Sequence, residues 1–166
     1  MDTWNIHKRQ MNVTAAEKLI WSIALPGFGQ LLNGKYIKGI IFILLEFIIN
    51  IKAHFNQIIM LSFNGKTQEA VELVDYGWIL FYPCLYFFSM WDAFKDGGGG
   101  SSPFAFLPFA GAAFSVTVGI FYSSEFRWNG YLPGIIWLPM LFLLPGLVIG
   151  WFIQWILIRR FPSGAA

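Results

Sequence analysis

Four long apolar stretches dominate this chain, with only short polar segments between them. They comprise residues 39–51, 78–90, 104–122 and 132–158. Of the 166 residues, 57% are apolar and 12% are charged, which is too little polar surface to coat a water-soluble globule. Because about 20 helical residues cross a bilayer, the length allows four or five crossings and leaves no separate soluble domain. The sequence therefore predicts an all-α, polytopic integral membrane protein.

The placement of lysine and arginine predicts how the chain is threaded, because cytoplasmic loops are enriched in both. If residues 19–32 dip into the membrane and return while the four later stretches cross, eight basic residues lie inside and three outside. If residues 19–32 cross instead, the division becomes six against five. We therefore expect four transmembrane helices, a short N-terminal re-entrant or interfacial helix before them, and both termini in the cytoplasm.

Turn signals divide the single membrane domain into four segments. These are a cytoplasmic start with the re-entrant element, a long helical hairpin, a glycine-rich cytoplasmic linker and a second helical hairpin, at residues 1–35, 36–94, 95–103 and 104–160. Thr14, with Glu17 three residues later, forms a capping box that predicts the start of the first helix. Apart from Gly39, no glycine or proline interrupts residues 36–63, so we expect one long helix that ends at the turn 64–66.

Little in the sequence points to catalysis or metal binding. The four glycines at 97–100 lack the Lys-Ser/Thr of a phosphate-binding loop, so we expect them to form a flexible inner loop with Asp92 and Asp96. Cys84 is the one thiol, which excludes an internal disulfide and a cysteine metal cluster. The serines of the apolar stretches lack a histidine at a matching depth. We therefore favour a non-enzymatic protein without a cofactor or metal, and a net charge of +2 does not indicate nucleic-acid binding.

Glu46 is the residue that costs most to place in a membrane, because apolar residues flank it on both sides. Asn50 and His54 follow at four-residue intervals, which puts all three side chains on one helix face. Such a polar stripe relays protons, binds a cation or holds a neighbouring helix by hydrogen bonds. In the structural alternative, Glu46 bonds a polar side chain of the next helix, such as Tyr82 or Tyr86. The sequence leaves the two interpretations open.

Small residues recur at four-residue intervals on the last two apolar stretches. They are Gly111, Ser115 and Gly119 on one stretch, and Gly146 and Gly150 on the other. In lipid, such stripes let two helix backbones approach closely enough for dispersion forces to hold them together. We therefore expect these two helices to pack on each other or on a partner.

Closely spaced glycines and polar residues fill the segment 25–40. They are Pro26, Gly27, Gly29, Gln30, Asn33, Gly34, Lys35 and Lys38. This pattern resembles the glycine-rich hairpin of the bacterial two-transmembrane (TM-two) domain family, and a similar element occurs at the start of some bacterial sugar-importer permeases. The resemblance implies a hairpin in a bacterial plasma membrane and carries no activity over to this chain. On physical grounds, the glycines allow tight turns, Gln30 and Asn33 can satisfy freed backbone groups, and Lys35 and Lys38 can bind anionic headgroups.

Three functions of different classes remain compatible with the sequence. We favour an accessory or regulatory subunit of a larger bacterial membrane complex, for example a transport system, with membrane lipids and either other subunits or further copies of itself as partners. The first alternative is a small oligomeric channel or ion-coupled transporter that uses Glu46, Asn50 and His54. The second alternative is a lipid-handling enzyme that acts at the membrane surface.

Overall fold

The computed structural model describes the backbone of residues 3–161 and the side chains of residues 14–161. Within this range the regular structure is helical, apart from one isolated bridge between Trp128 and Tyr131, which confirms the predicted all-α class. The helices are α1 (Thr3–Ala24), α2 (Phe28–Leu32), α3 (Tyr36–Lys52), α4 (Phe55–Phe63), α5 (Thr67–Leu73), α6 (Tyr76–Ile79), α7 (Tyr82–Asp96), α8 (Leu107–Phe121) and α9 (Gly134–Arg160).

One described helix, α9, is by itself both long enough and apolar enough to cross a membrane. It contains 27 residues and runs through Pro139 and Pro145 without a break. A second candidate span joins α5 to the stretch Tyr76–Asp96, with a bend of 86° between them. Because α3 has 17 residues and α8 has 15, these helices are shorter than a full crossing.

The first two helices form a reversal of the chain against α7. Near the middle of α1, Ala15 packs against Gly97, and a Cβ added to this glycine would lie 3.0 Å from the Cα atom of Ala15. At the end of α1, the carbonyl of Ile23 accepts a hydrogen bond of 2.7 Å from the Tyr86 hydroxyl. Helix α1 therefore runs antiparallel to α7, and the chain turns back after it. The predicted start at Thr14 is wrong, because α1 begins at Thr3. No glycine or proline interrupts residues 3–24, so the helix continues through the capping box.

The predicted long helix over residues 36–63 is interrupted at Ala53 and His54. His54 has a left-handed backbone with φ of 56°, so that α3 ends before it and α4 begins after it. Ala53 and Ile58 on the two sides of the break are fully buried in one apolar cluster. A straight helix would direct these two side chains differently, and their burial together explains why packing overrides the helical pattern.

Helices α8 and α9 pack closely along the predicted small-residue stripes. A Cβ on Gly111 would lie 2.5 Å from the carbonyl oxygen of Gly146, and one on Gly119 would lie 2.7 Å from the Cα atom of Pro139. Gly150 abuts the backbone of Leu107 in the same way. Each of these glycines permits a backbone approach that a larger residue would prevent.

The glycine-rich linker lies against aromatic rings of α7. Asp92 and Asp96, which we expected in the loop, belong to the last turns of α7. A Cβ on Gly99 would lie 2.6 Å from the ring of Phe94, and a Cβ on Gly100 would lie 2.7 Å from the ring of Trp91. The linker therefore lies flat on aromatic rings of the preceding helix, and glycine is required there because a side chain would lift it off.

The bundle has two chemically different ends. At the linker end, which contains residues 97–106, the Gln154 side chain donates to the carbonyl of Pro103 at 3.3 Å. At the turn end, which contains residues 64–66 and 122–133, Thr67 donates to the carbonyl of Leu132 at 2.8 Å. The basic residues at the linker end are Lys18, Lys35, Lys38, Lys95, Arg159 and Arg160. Acidic residues prevail at the turn end, which carries Glu69, Glu72, Asp75 and Glu125 beside Lys66 and Arg127.

Candidate functional site: a polar cluster, a buried glutamate and an apolar cleft

A polar cluster joins the chain reversal to the end of α7. The side chain of Gln30 is fully buried, and its Nε2 atom donates to the carbonyl of Ser89 at 2.8 Å and to Oδ2 of Asp92 at 3.1 Å. The Nδ2 atom of Asn33 donates to the carbonyl of Ala93 at 2.8 Å. The two amides therefore bond α7 instead of the freed backbone of their own turn, which the sequence led us to expect.

Lys38 completes the polar cluster from the first turn of α3. Its Nζ atom lies 2.7 Å from Oδ1 of Asp92 and 3.1 Å from Oδ2 of Asp96. The hydrogen bond to Asp92 and then that to Asp96 raise the pKa of Lys38 above its ordinary value of 10.5. Because 47% of the Lys38 side chain is exposed, solvent screens these ion pairs. Lys38, which we expected to bind a lipid headgroup, thus forms ion pairs with Asp92 and Asp96 within the protein. Lys35, for which we expected the same contact, is exposed.

The glycines of the segment 25–40 bring these polar side chains into place. Gly27 has φ of 106°, and a Cβ there would lie 2.5 Å from the carbonyl oxygen of Gly39. Gly29 contacts the Ser22 hydroxyl, and a Cβ there would lie 2.6 Å from the Cβ of Ala93. The reversal is therefore pressed against both α3 and α7. Gly34 faces open space, so no neighbouring atom excludes a side chain there. Glycine is favoured at this position because its backbone is left-handed, with φ of 71°.

Glu46 lies in the interior of the bundle, with a relative exposure of 8%. Its carboxyl faces the Tyr82 hydroxyl of α7. The Oε2 atom is buried and has no hydrogen-bond partner in the described part of the chain. None of the ion pairs found among the described residues includes Glu46. A buried oxygen without a donor is costly, so this position demands a functional or structural explanation.

The helical register of the predicted polar stripe extends from Glu46 to Asn50 and ends before His54. The Nδ2 atom of Asn50 donates to the side-chain oxygen of Asn56 on α4 at 3.2 Å, which links the two helices across the break. His54 occupies the break itself and is exposed, because the left-handed residue ends the helical register that aligned it with Glu46. Glu46 and Asn50 therefore share one face of α3, where Glu46 faces Tyr82 of α7 and Asn50 bonds α4, whereas His54 lies outside this register.

An apolar cleft of about 290 Å³ opens between α4, α7, α8 and α9. The side chains around it are aliphatic or aromatic, and they include Phe55, Tyr82, Tyr86, Val116, Ile136 and Met140. Two of them, Tyr82 and Tyr86, carry hydroxyl groups, and both groups are directed to partners within the protein: the Glu46 carboxyl and the Ile23 carbonyl. The exposed side chains of Met140, at 54%, and Phe63, at 65%, mark its mouth. The cleft therefore offers hydrocarbon contacts and no free polar group to a ligand.

The described residues contain no group of three or more histidine, cysteine or carboxylate side chains that could hold a metal ion. Comparison of the chain with protein-family models, with curated protein sequences and with solved structures yields no match. The resemblance of residues 25–40 to the TM-two hairpin accordingly rests on those residues alone. The cleft and the carboxylates that meet Lys38 were not predicted from the sequence. The four-residue spacing of Asp92 and Asp96 is the signal that could have revealed the latter pair.

Proposed function

We propose that the protein is a polytopic membrane protein with four transmembrane segments. They are formed by α3 from Gly39 onward with α4, by α6 with α7, by the apolar stretch 104–122, which extends α8 at both ends, and by α9. The outward face of α3 supports this, because its apolar side chains are exposed along the helix, from Ile37 at 78% to Ile51 at 69%. A surface of this kind suits lipid and would cause aggregation in water. The α1–α2 reversal then re-enters from the cytoplasm, where the six basic residues of the linker end satisfy the positive-inside rule.

The function that the geometry supports best is the binding of a hydrocarbon chain in the apolar cleft. The carrying observation is the cleft itself, with apolar walls, a lateral mouth at Met140 and tyrosine hydroxyls that are directed elsewhere. A site without free polar groups selects for a chain and not for a headgroup. The proposed ligand is one acyl chain of a membrane lipid, and the protein is a non-enzymatic accessory subunit that carries this lipid.

Photo-cross-linking in reconstituted vesicles tests the proposal. The probe is a phosphatidylcholine with a diazirine near the end of one acyl chain, and cross-linked peptides are mapped by mass spectrometry. We expect the strongest labelling at the cleft, around Tyr86 and Val116. The variant Met140→Trp should remove this labelling by filling the mouth, whereas Leu141→Trp, on the adjacent exposed residue outside the cleft, should keep it.

The opposite result would be labelling that follows surface exposure, strongest at Ile37 and Ile51 of α3 and unchanged by Met140→Trp. The accessory role has its own test, which is purification of the tagged protein in mild detergent from its native cells. Recovery together with other membrane subunits supports that role, and recovery as a lone monomer under every condition contradicts it. The channel or transporter alternative now depends on Glu46 and Asn50, because the left-handed backbone at His54 takes that residue out of their helical register.

A further inference from the structure

Tyr82 belongs to two sites at once. Its ring forms part of the wall of the apolar cleft, while its hydroxyl reaches the carboxyl of Glu46. Two aromatic neighbours fix the ring, because its centroid lies 4.5 Å from that of Phe55 and 5.5 Å from that of Tyr86. A change at Glu46 that moves the Tyr82 side chain therefore changes the shape of the cleft.

The ionisable surroundings of Glu46 are sparse. On α7, Tyr82 and Tyr86 face it, and the hydroxyl of Tyr86 already donates to the Ile23 carbonyl. The other helices that contact α3 are α2, α4 and α6. Helices α2 and α4 contain no ionisable residue, and the one in α6, Tyr76, shares a hydrogen bond of 3.0 Å with Ser123. The described part of the chain thus provides Glu46 with one hydroxyl donor and no cation.

We propose that Glu46 is a proton-binding site that controls the apolar cleft, so that the neutral carboxylic acid permits binding of the acyl chain and the carboxylate opposes it. This inference rests on the proposed function and adds its regulation. The coupling element is Tyr82, since its ring lines the cleft and its hydroxyl faces the acid.

The physical basis is the number of donors that each form of Glu46 needs. A neutral acid requires little beyond the Tyr82 hydroxyl, whereas a carboxylate in apolar surroundings requires several donors or a countercharge. Loss of the proton leaves a carboxylate beside the Tyr82 hydroxyl, and the water that this charge attracts enters next to the Tyr82 ring in the wall of the cleft. Water in the cleft displaces the hydrocarbon chain. By reciprocity, a bound chain favours proton uptake at Glu46.

The test combines the diazirine lipid with a pH series and three variants. In the wild type, cleft cross-linking should fall about fivefold or more as the pH rises. Glu46→Gln, which stays neutral, should cross-link at every pH as the wild type does at acidic pH. Tyr82→Phe keeps the ring in the wall and loses the hydroxyl, so it should bind the chain with a weakened pH dependence. Glu125→Gln, a change of an exposed carboxylate at the turn end, should follow the wild type.

A second measurement detects the protonation state of Glu46 in the absence of a ligand. Infrared difference spectra are taken between samples at about pH 6 and at alkaline pH, a range in which exposed carboxylates stay ionised. They should contain the carbonyl band of a protonated carboxylic acid in the wild type and lack it in Glu46→Gln. Cleft cross-linking that is present but equal at every pH would overturn this inference and leave the proposed function intact. An absence of cleft cross-linking at every pH would overturn both, and an infrared band that persists in Glu46→Gln would contradict the assignment of the proton.

Discussion

The Nε2 atom of Gln30 lies 3.1 Å from Oδ2 of Asp92, and the other oxygen of that carboxylate lies 2.7 Å from Nζ of Lys38. One carboxylate on α7 therefore bonds both the chain reversal and the first turn of α3. Without it the buried amide of Gln30 loses an acceptor and Lys38 loses its closer partner. This makes Asp92 the centre of the polar cluster, with Asp96 at its edge.

We expect Asp92→Ala to destabilise the protein by about 1–2 kcal/mol, since it removes a partly buried hydrogen bond and an ion pair together. Asp96→Ala is the matched control on the same helix, and because it removes one screened contact of Lys38 it should cost less than about 0.5–1 kcal/mol. Unfolding by a denaturing detergent, followed by tryptophan fluorescence, gives both free energies. Equal losses in the two variants would contradict the central place of Asp92.

The ion pairs of Lys38 should weaken only in strongly alkaline solution. Folding raises the pKa of Lys38 above its ordinary 10.5, chiefly through the hydrogen bond to Asp92, so its contribution is complete below that value and declines as the pH passes the raised pKa. The difference in unfolding free energy between the wild type and Lys38→Met should be constant from about pH 7 to about pH 10 and narrow above it. If the difference in unfolding free energy between the two proteins already narrows between neutral pH and about pH 9, a group other than Lys38 determines the pH dependence.

The reversal should tolerate a side chain at Gly34 but not at Gly29. A methyl group at Gly29 would meet Ser22 and the Cβ of Ala93, so we expect Gly29→Ala to cost about 1–3 kcal/mol. Gly34→Asn keeps a residue that accepts a left-handed backbone and points into open space, so it should change the stability by no more than about 0.5 kcal/mol. Thermal unfolding in detergent compares the two variants, and a tolerated Gly29→Ala would refute the close packing of the reversal.

The contact of α8 with α9 can be tested in the same way. Gly111→Leu would force the two backbones apart at Gly146, and we expect a loss of about 1–3 kcal/mol or more. Ala110→Leu, on the adjacent exposed position, adds a larger side chain without meeting α9 and should be nearly neutral. If both substitutions prove neutral in detergent unfolding, the stripes do not hold these helices together.

The sequence predicted the helical class and the stripes of α8 and α9, because hydrophobicity and the spacing of small residues are local signals. It also predicted a chain reversal near Pro26 and Gly27. The prediction of one helix over residues 36–63 is wrong at His54, because the burial of Ala53 and Ile58 in one apolar cluster interrupts the helix there. Such tertiary effects are not visible in a window of sequence, since they depend on which distant helices meet.

The same reason explains the errors at the functional residues. Periodicity aligned Asn50 and His54 with Glu46. Asn50 keeps this register within α3, but the left-handed residue at the break removes it for His54. The glycines at 97–100 suggested flexibility, whereas the rings of Trp91 and Phe94 determine their conformation. The partnership of Asp92 with Gln30 and Lys38 spans more than 50 residues, so it appears only once the helices are packed.

Labelling of single cysteines in intact cells tests the proposed membrane architecture most directly. In a Cys84→Ala background, a membrane-impermeant maleimide added outside should label Gly65→Cys and Asn129→Cys at the turn end. It should label Lys35→Cys at the linker end only after the membrane is permeabilised. Labelling of position 35 in intact cells, with positions 65 and 129 protected, would contradict the re-entrant reversal and the four-span arrangement.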